Sequence, residues 1–163
     1  MLRINVRPAA SADAETIVQL VRELAVYEKQ PLSVVKITEA DVLRDGFGAL
    51  ARFEVLLAEL DGKIEGFALI FDNYSTWEGR AGIYIEDLFV RERARGKGLG
   101  RRLLAAIAAL AVARGCPRID LNVLDWNPTR AFYHRIGIRH MEAWLPYRIS
   151  GAAIAALASE STG

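Results

Sequence analysis

A glycine-rich loop between an apolar strand and a long apolar helix most restricts how this chain can fold. Residues 82–90 have the β-branched and aromatic content of a buried strand, and residues 99–113 place apolar side chains at helical spacing, with Leu99, Leu103, Ile107 and Leu110 on one stripe. The loop between them, residues 95–100, reads Arg-Gly-Lys-Gly-Leu-Gly. A strand, a turn and a helix in this order predict a crossover unit, which builds a sheet with helices packed on it.

The chain before this unit predicts one strand, two helices and a hairpin. Apolar residues alternate over residues 2–6, and a helix capped by Ser11 is expected to fade between residues 27 and 31. A second short helix begins at Thr38 and stops at the glycines of residues 45–48. Two strands, residues 53–60 and 63–71, flank an Asp-Gly pair, which is a strong hairpin signal.

The chain after this unit predicts two further strands and two helices. Residues 118–124 indicate a strand, and Asn127-Pro128 caps a helix that ends at Gly137. A last strand is expected over residues 143–149, before an Ala-rich C-terminal helix. The order β-α-α-β-β-β-α-β-α-β predicts an α/β (α+β) fold, a mixed sheet with helices on both faces, and excludes a TIM barrel. Without a repeat or linker, residues 1–163 are expected to form a single domain.

Composition excludes several classes of protein. With 163 residues, 52% of them apolar, and a formal charge of +1, the chain can bury one sizeable core but has no global field for nucleic acid or an anionic membrane. The longest apolar run, residues 103–113, is well under the ~20 residues that cross a bilayer. The N-terminus lacks a signal-peptide pattern, and the lone Cys116 forms neither a disulfide nor a metal framework, so a reducing cytoplasm is expected. His134 and His140 make no metal cluster, so no metal is expected.

The glycine loop has the composition of a phosphate-binding site. Its glycines let backbone N–H groups converge at a helix N-terminus, where diphosphate is the natural ligand. Glu92 is the only acid nearby in sequence to oppose its cations, which are Arg91, Arg93, Arg95, Lys97, Arg101 and Arg102. The spacing does not fit the dinucleotide fingerprint or the Walker A motif. A solvated loop with glycines needed only for a turn, and a basic stripe for RNA, remain open.

Two adjacent acids, Glu86 and Asp87, stand in the middle of the strand that precedes this loop. Strand neighbours point to opposite faces, so at least one acid is aimed at a covered face, unless a bulge lets both reach water. A carboxylate beside a cleft can bind an ammonium ion and then take its proton. On the helix that begins at Pro128, Phe132 and Ile136 mark the buried stripe, and Tyr133 reads as amphipathic packing.

The motif Arg95-x-x-Gly98-x-Gly100 resembles the acyl-CoA diphosphate motif of the GCN5-related N-acetyltransferase (GNAT) superfamily. Over nearly the whole chain, six segments in the right order are similar to its spermidine/spermine (diamine) N-acetyltransferase branch. Residues 125–127 read nearer to the thialysine N-acetyltransferases of that branch. The segments are Glu23–Glu28, Asp45–Gly48, Tyr84–Val90, Asp125–Asn127, Phe132-Tyr133 and Glu142–Trp144.

This resemblance implies transfer of acetyl from acetyl-CoA to a primary amine of a small molecule, directly within a ternary complex. It implies a mostly antiparallel sheet with strands splayed at the acetyl-CoA site, and a homodimer. The base would be Glu86, and Tyr133 would protonate the departing thiolate. The cofactor positions implied are Leu88, Phe89, Val90, Arg95, Gly96, Lys97, Gly98, Leu99, Gly100, Arg101, Asn127, Arg130 and Tyr133. The amine positions are Tyr27, Glu28, Trp77, Glu86, Asp87, Glu142 and Trp144.

One departure from the branch bears on the substrate. The residues after Glu28, Lys29-Gln30-Pro31-Leu32-Ser33-Val34, contain no acid, whereas polyamine-specific relatives carry further carboxylates there. A shorter diamine, thialysine or another amino acid derivative is therefore an equal expectation. The alternative functions are a CoA-binding regulatory module without catalysis and an RNA-binding domain that uses residues 91–102.

Overall fold

The computed structural model describes residues 2–161, which divide into two compact units, one ending at Leu124 and the other beginning at Asp125. The first unit holds β1 (Ile4–Pro8), α1 (Ala14–Tyr27), α2 (Glu39–Phe47), β2 (Glu54–Leu60), β3 (Lys63–Ser75), β4 (Arg80–Val90), α3 (Leu99–Arg114) and β5 (Ile119–Leu121). The second holds α4 (Thr129–Arg135) and α5 (Ala152–Ala158). Short 3-10 turns cover Ser11–Asp13, Leu32–Val34, Glu92–Ala94 and Ser159–Ser161. The single domain over residues 1–163 stays a prediction.

The five strands form one sheet in the order β1-β2-β3-β4-β5. The first three pairs are antiparallel, and β5 lies parallel to β4 because α3 carries the chain back across the sheet. The predicted hairpin is confirmed, with Leu60 opposite Lys63. Both connecting residues have left-handed φ angles, 51° at Asp61 and 78° at Gly62, and a two-residue turn that follows the strand twist needs this conformation.

Helices cover both faces of the sheet, as the sequence predicts. On one face, apolar residues of α1 and α2 pack on Val55, Leu57, Phe67, Leu69 and Phe89. The intervening residues of β2, such as Leu56 and Ala58, are also buried and turn to the opposite face, where α3 packs with Leu103 and Ile107. The sheet is therefore the shared middle layer of two apolar cores.

Three local predictions are wrong or need adjustment. Residues 143–149 form no strand and are exposed, since Pro146 has no N–H and no other strand lies within residues 125–161 to pair with them. Ser11 does not cap the first helix; instead the Asp13 carboxylate accepts the Ala10 N–H at 2.7 Å. The stripe of α3 ends on the buried Ala111 rather than on Leu110, which is half-buried.

Candidate active site

The downstream half of β4 has a hydrogen-bonded neighbour on one side only. β5 pairs with β4 at Ile83–Ile85 alone, whereas β4 continues to Val90. The Arg91 N–H donates to the Glu65 carbonyl at 2.8 Å, so Val90 and Gly66 form a non-hydrogen-bonded pair. By alternation, the peptide groups of Leu88 and Val90 point away from β3, toward the side that β5 leaves uncovered. Among the described residues no strand pairs with this side of residues 87–90, which we call the open edge of β4.

A β-bulge marks the beginning of the open edge. Leu69 is opposite Asp87 and Ile70 is opposite Ile85, so Glu86 is the extra residue of β4. Glu86 is exposed, whereas Asp87 is half-buried on the α1 face, the face to which Leu69 contributes. The acid that strand alternation predicts on a covered face is thus Asp87. The β-bulge, which was the alternative prediction, is also present. It exposes Glu86 alone.

Three carboxyl groups, those of Glu28, Glu86 and Asp87, form an acidic cluster beside the bulge. Burial, followed by the negative charges of Glu86 and Glu28, raises the pKa of Asp87 to about 7. Burial also raises the pKa of Glu28. Glu28 directly follows the last residue of α1, and its N–H still donates to the Leu24 carbonyl at 2.9 Å. An ammonium ion bound among these groups would favour their ionised forms and relieve their mutual repulsion.

The glycine loop presents unpaired backbone donors at the start of α3. Gly98, the N-cap of the helix, has a φ of 94°, which L side chains rarely adopt. The first intrahelical bond runs from the Arg102 N–H to the Gly98 carbonyl at 3.0 Å. The N–H groups of Leu99, Gly100 and Arg101 precede it and have no intrahelical acceptor. The helix N-terminus therefore fits a diphosphate, as the loop composition predicts.

The positive charge around this loop is smaller than the sequence indicates. Arg91 donates twice to the Glu23 carboxylate, each at 2.8 Å, and once to the Ile64 carbonyl. Arg93 pairs with the buried Glu65 at 2.9 Å. The expectation that Glu92 alone opposes the cations is therefore wrong, because Glu23 and Glu65 come from distant elements. The exposed cations that remain near the helix start are Arg95, Lys97, Arg101 and Arg102.

Arg95 links the loop to the open edge and to α1. Its Nε donates to the Val90 carbonyl at 2.9 Å. The guanidinium carbon lies 4.2 Å from the centroid of the Tyr27 ring and 5.8 Å from that of Phe89. The Tyr27 and Phe89 rings are themselves in tilted contact, 6.1 Å apart. A predicted cofactor residue thus contacts a predicted amine residue.

Trp77, a predicted amine residue, lies apart from the acidic cluster along the strand. It sits in the turn between β3 and β4, and 84% of its surface is exposed. From Arg80 to Glu86 the strand advances about 20 Å. Within one chain, the structure does not bring this indole to Glu86.

The second unit contains the remaining predicted residues. Asn127 is buried, and its Oδ1 accepts the Thr129 N–H at 2.9 Å. The N-cap of α4 is Pro128, one residue later than the predicted Asn127. Arg130 donates to the Asp125 carbonyl at 2.9 Å. Tyr133 is itself the buried residue of α4, whereas Phe132 and Ile136 are only half-buried, contrary to the predicted stripe. Glu142 and Trp144 are exposed and lie outside any helix or strand.

Within residues 2–161, no group of three or more His, Cys, Asp or Glu side chains could hold a metal ion. No helix in that range is long and apolar enough to cross a membrane.

Comparisons with known proteins are consistent with one another. The sequence model of the "Acetyltransferase (GNAT) family" matches residues 17–138. The thialysine N-epsilon-acetyltransferase of Bos taurus is 36% identical over 98% of this chain and 100% of its own. The L-ornithine N5-acetyltransferase of Arabidopsis thaliana is 40% identical over 60% of this chain and 43% of its own. Among solved structures, an integron cassette protein from the mobile metagenome of V. cholerae superposes with a TM-score of 0.78 at 26% identity, covering 95% of this chain and 97% of that one.

Proposed function

Because this chain belongs to the acetyltransferase (GNAT) family and is an acetyl-CoA-dependent N-acetyltransferase, we propose that its acceptor is a small basic amino acid such as thialysine. Similarity to a thialysine and to an ornithine acetyltransferase supports this class of amine. The observation that carries the proposal is the acidic cluster beside the open edge of β4. It combines negative charge for an ammonium ion with peptide groups that no neighbouring strand pairs in residues 2–161, available for an acyl carrier.

The residues near the start of α3 fit acetyl-CoA. Its diphosphate would meet the N–H groups of Leu99, Gly100 and Arg101, with the exposed cations of the loop around it. The amide-containing arm would follow the peptide groups of Leu88 and Val90 on the open edge. Acetyl-CoA supplies an acyl thioester, which is the electrophile that an amine attacks. We assign Phe89, Gly96, Gly98, Asn127 and Arg130 to the support of this site by resemblance.

The acidic cluster would bind the amine as a cation and release it as a nucleophile. Glu28 and Asp87 attract the ammonium group, and Glu86, exposed at the bulge, takes its proton directly or through water. Tyr133 holds the proton that the departing thiolate requires. Transfer is direct, within a ternary complex. Tyr27, Trp77, Glu142 and Trp144 stay predictions as further amine contacts.

The alternative functions are less well supported. A basic stripe for RNA would need the guanidinium groups of Arg91 and Arg93, which are paired with Glu23 and Glu65. A CoA-binding module without catalysis would not need an acidic cluster beside the open edge.

Thermal unfolding with single ligands tests the cofactor, and thiol release with an amine panel tests the acceptor. Acetyl-CoA and CoA should raise the midpoint, by an equivalent of about 2.7 kcal/mol at 100 times Kd, whereas NAD, ATP and a short RNA should not. CoA release from acetyl-CoA should then be fastest with thialysine or ornithine and slower with putrescine or spermidine. A chain that binds CoA and acetylates none of these amines would overturn the proposed acceptor.

The resemblance also supports a homodimer in the cytoplasm. Sedimentation equilibrium of the purified chain measures the oligomeric state, and a monomer at all concentrations would contradict the homodimer. Fractionation of the source cells measures the cytoplasmic location.

A further inference from the structure

The side chain of Arg95 connects two parts of the site that the chain keeps far apart in sequence. Its Nε bonds the Val90 carbonyl on the open edge, at 2.9 Å. Its guanidinium lies over the ring of Tyr27, the last residue of α1, with 4.2 Å between the guanidinium carbon and the ring centroid. That distance is within the range of a cation–π contact.

The two Nη groups of Arg95 remain available for a ligand. Within residues 2–161, its guanidinium donates one hydrogen bond, the one from Nε, and the residue is exposed. The four N–H donors of these two groups therefore lie in one plane, which is held by the Val90 carbonyl and by the Tyr27 ring. An anion such as a diphosphate would hold this plane more firmly, because charge-assisted bonds to guanidinium are strong and directional.

Arg95 lies over the end of α1, and Glu28 of the acidic cluster is at this same end. Glu28 follows Tyr27, and its charge acts on Asp87. The helix stops here in a strained turn, since Lys29 has a left-handed φ of 58°. A residue that holds the Tyr27 side chain in place therefore also restricts the position of the Glu28 backbone, which follows it directly.

We propose that Arg95 is a positioning residue that couples the two substrates: the cofactor diphosphate holds its guanidinium, which holds Tyr27 and Glu28 in place for the amine. This inference rests on the proposed function. It requires that CoA tightens amine binding, and by linkage that the amine tightens CoA binding by the same factor.

The test is the coupling factor, defined as the Kd of the amine without CoA divided by its Kd with saturating CoA. CoA replaces acetyl-CoA, so that no transfer occurs during isothermal titration. The amine is whichever of thialysine, ornithine, lysine and putrescine is acetylated with the highest kcat/KM. We expect a factor of about five or more for the parent chain, the lower end of typical allosteric coupling.

Matched variants separate coupling from a simple loss of charge. Arg95→Gln should bring the factor close to one, whereas Arg101→Gln, which removes another exposed cation of the loop, should weaken CoA binding and leave the factor unchanged. Tyr27→Phe keeps the ring under the guanidinium and should keep the factor, and Tyr27→Leu should abolish it. The Tyr27 pair still decides the matter if Arg95→Gln does not fold.

Two failures are distinguishable. A parent chain that acetylates none of the four amines overturns the proposed function and this inference together. A parent chain that acetylates an amine but shows a factor of one, or an Arg95→Gln variant that retains the parent factor, overturns the inference alone.

Discussion

At the scale of single residues, Asp87 is the group whose environment conflicts most with its charge. It is half-buried on the α1 face, next to two other carboxyl groups, and its pKa is raised to about 7. A carboxyl group that stays half-protonated near neutral pH can hold an ammonium ion without remaining fully charged when the site is empty. We interpret this conflict as a property of the amine site rather than of the fold.

The stability of the chain should fall as pH rises from about 4 to about 7. In this window the folded state keeps a proton on Asp87 that the unfolded state, with a pKa of 3.8, has lost. Asp87→Asn should make this slope shallower, leaving the smaller part that comes from Glu28, and should raise the free energy of unfolding at pH 8 by on the order of 2 kcal/mol for a partly solvated group. Urea titrations at pH 4.5 and pH 8 measure the difference. The exposed acid Glu78, changed to Gln, is the control, and an unchanged slope in Asp87→Asn would contradict the assignment.

Glu86 carries the base role at the bulge. Glu86→Gln keeps the size of the side chain but removes its proton acceptor, so kcat should fall by roughly 10²-fold or more. The measurement is thiol release at saturating acetyl-CoA and amine, from pH 6 to pH 9. If Glu86→Gln retains parent turnover while Asp87→Asn does not, the proton acceptor is Asp87 instead.

Tyr133 is buried in α4, and Tyr133→Phe removes its hydroxyl group while keeping the buried ring. Tyr133→Phe should lower kcat by roughly 10²-fold, the scale of one lost general acid, with little change in acetyl-CoA affinity. The matched control is Tyr147→Phe in the same unit, since Tyr147 is 92% exposed. Unchanged turnover in Tyr133→Phe would remove this tyrosine from the reaction.

At the scale of elements, the start of α3 depends on a glycine for two separate reasons. The φ of 94° at Gly98 excludes ordinary side chains, and the N–H groups that follow it need open space to meet an anion. Folding and anion binding therefore both require glycine at this position. A suitable control is another glycine with a positive φ that lies away from the proposed diphosphate site.

Gly98→Ala should weaken both stability and CoA binding. A Cβ at positive φ costs about 1–2 kcal/mol of folding free energy and would also crowd the phosphate position. Gly79→Ala provides the control, because Gly79 has a φ of 62° in the β3–β4 turn and an added Cβ there meets nothing within 4 Å. It should show a similar loss of stability with parent CoA affinity, as measured by chemical denaturation and titration. Equal CoA affinities for the two variants would contradict a diphosphate at α3.

At the scale of the whole molecule, the central sheet joins two apolar cores. Ile17, Leu20 and Phe67 are buried on the α1 face, and Ile107 lies on the buried side of α3. Because both cores pack against the same sheet, loss of packing on one face should lower the stability of both.

Ile107→Ala should lower the free energy of unfolding by about 2–5 kcal/mol, because it leaves a cavity in a closed core. Val112→Ala, on the same helix but 83% exposed, should change it by less than about 0.5 kcal/mol. If residues 1–163 form a single domain, far-UV and near-UV circular dichroism of the variant should lose signal in one transition at one lowered midpoint. Two separate transitions would contradict the single domain.

Features with local causes could be predicted from the sequence. Such features are the Asp61-Gly62 turn, the helix α3 between its two glycines and the hydrogen bond from the Thr129 N–H to Asn127. They follow from backbone preferences and short-range hydrogen bonds within a few residues. The glycine loop and its match to the acyl-CoA motif were accessible for the same reason. The strand predicted over residues 143–149 is wrong because a strand also requires a partner, which alternation of residues cannot supply.

Contacts between groups far apart in sequence became visible in the folded chain alone. Nothing in the spacing of the chain indicates that Arg91, 68 residues from Glu23, is neutralised by it, or that Arg95 covers Tyr27. The bulge that exposes Glu86 and half-buries Asp87 is likewise a matter of register between β3 and β4. Local preferences act through neighbouring backbone atoms, whereas charge pairing, burial and pKa depend on packing across the sheet, and they appear only when the chain has folded.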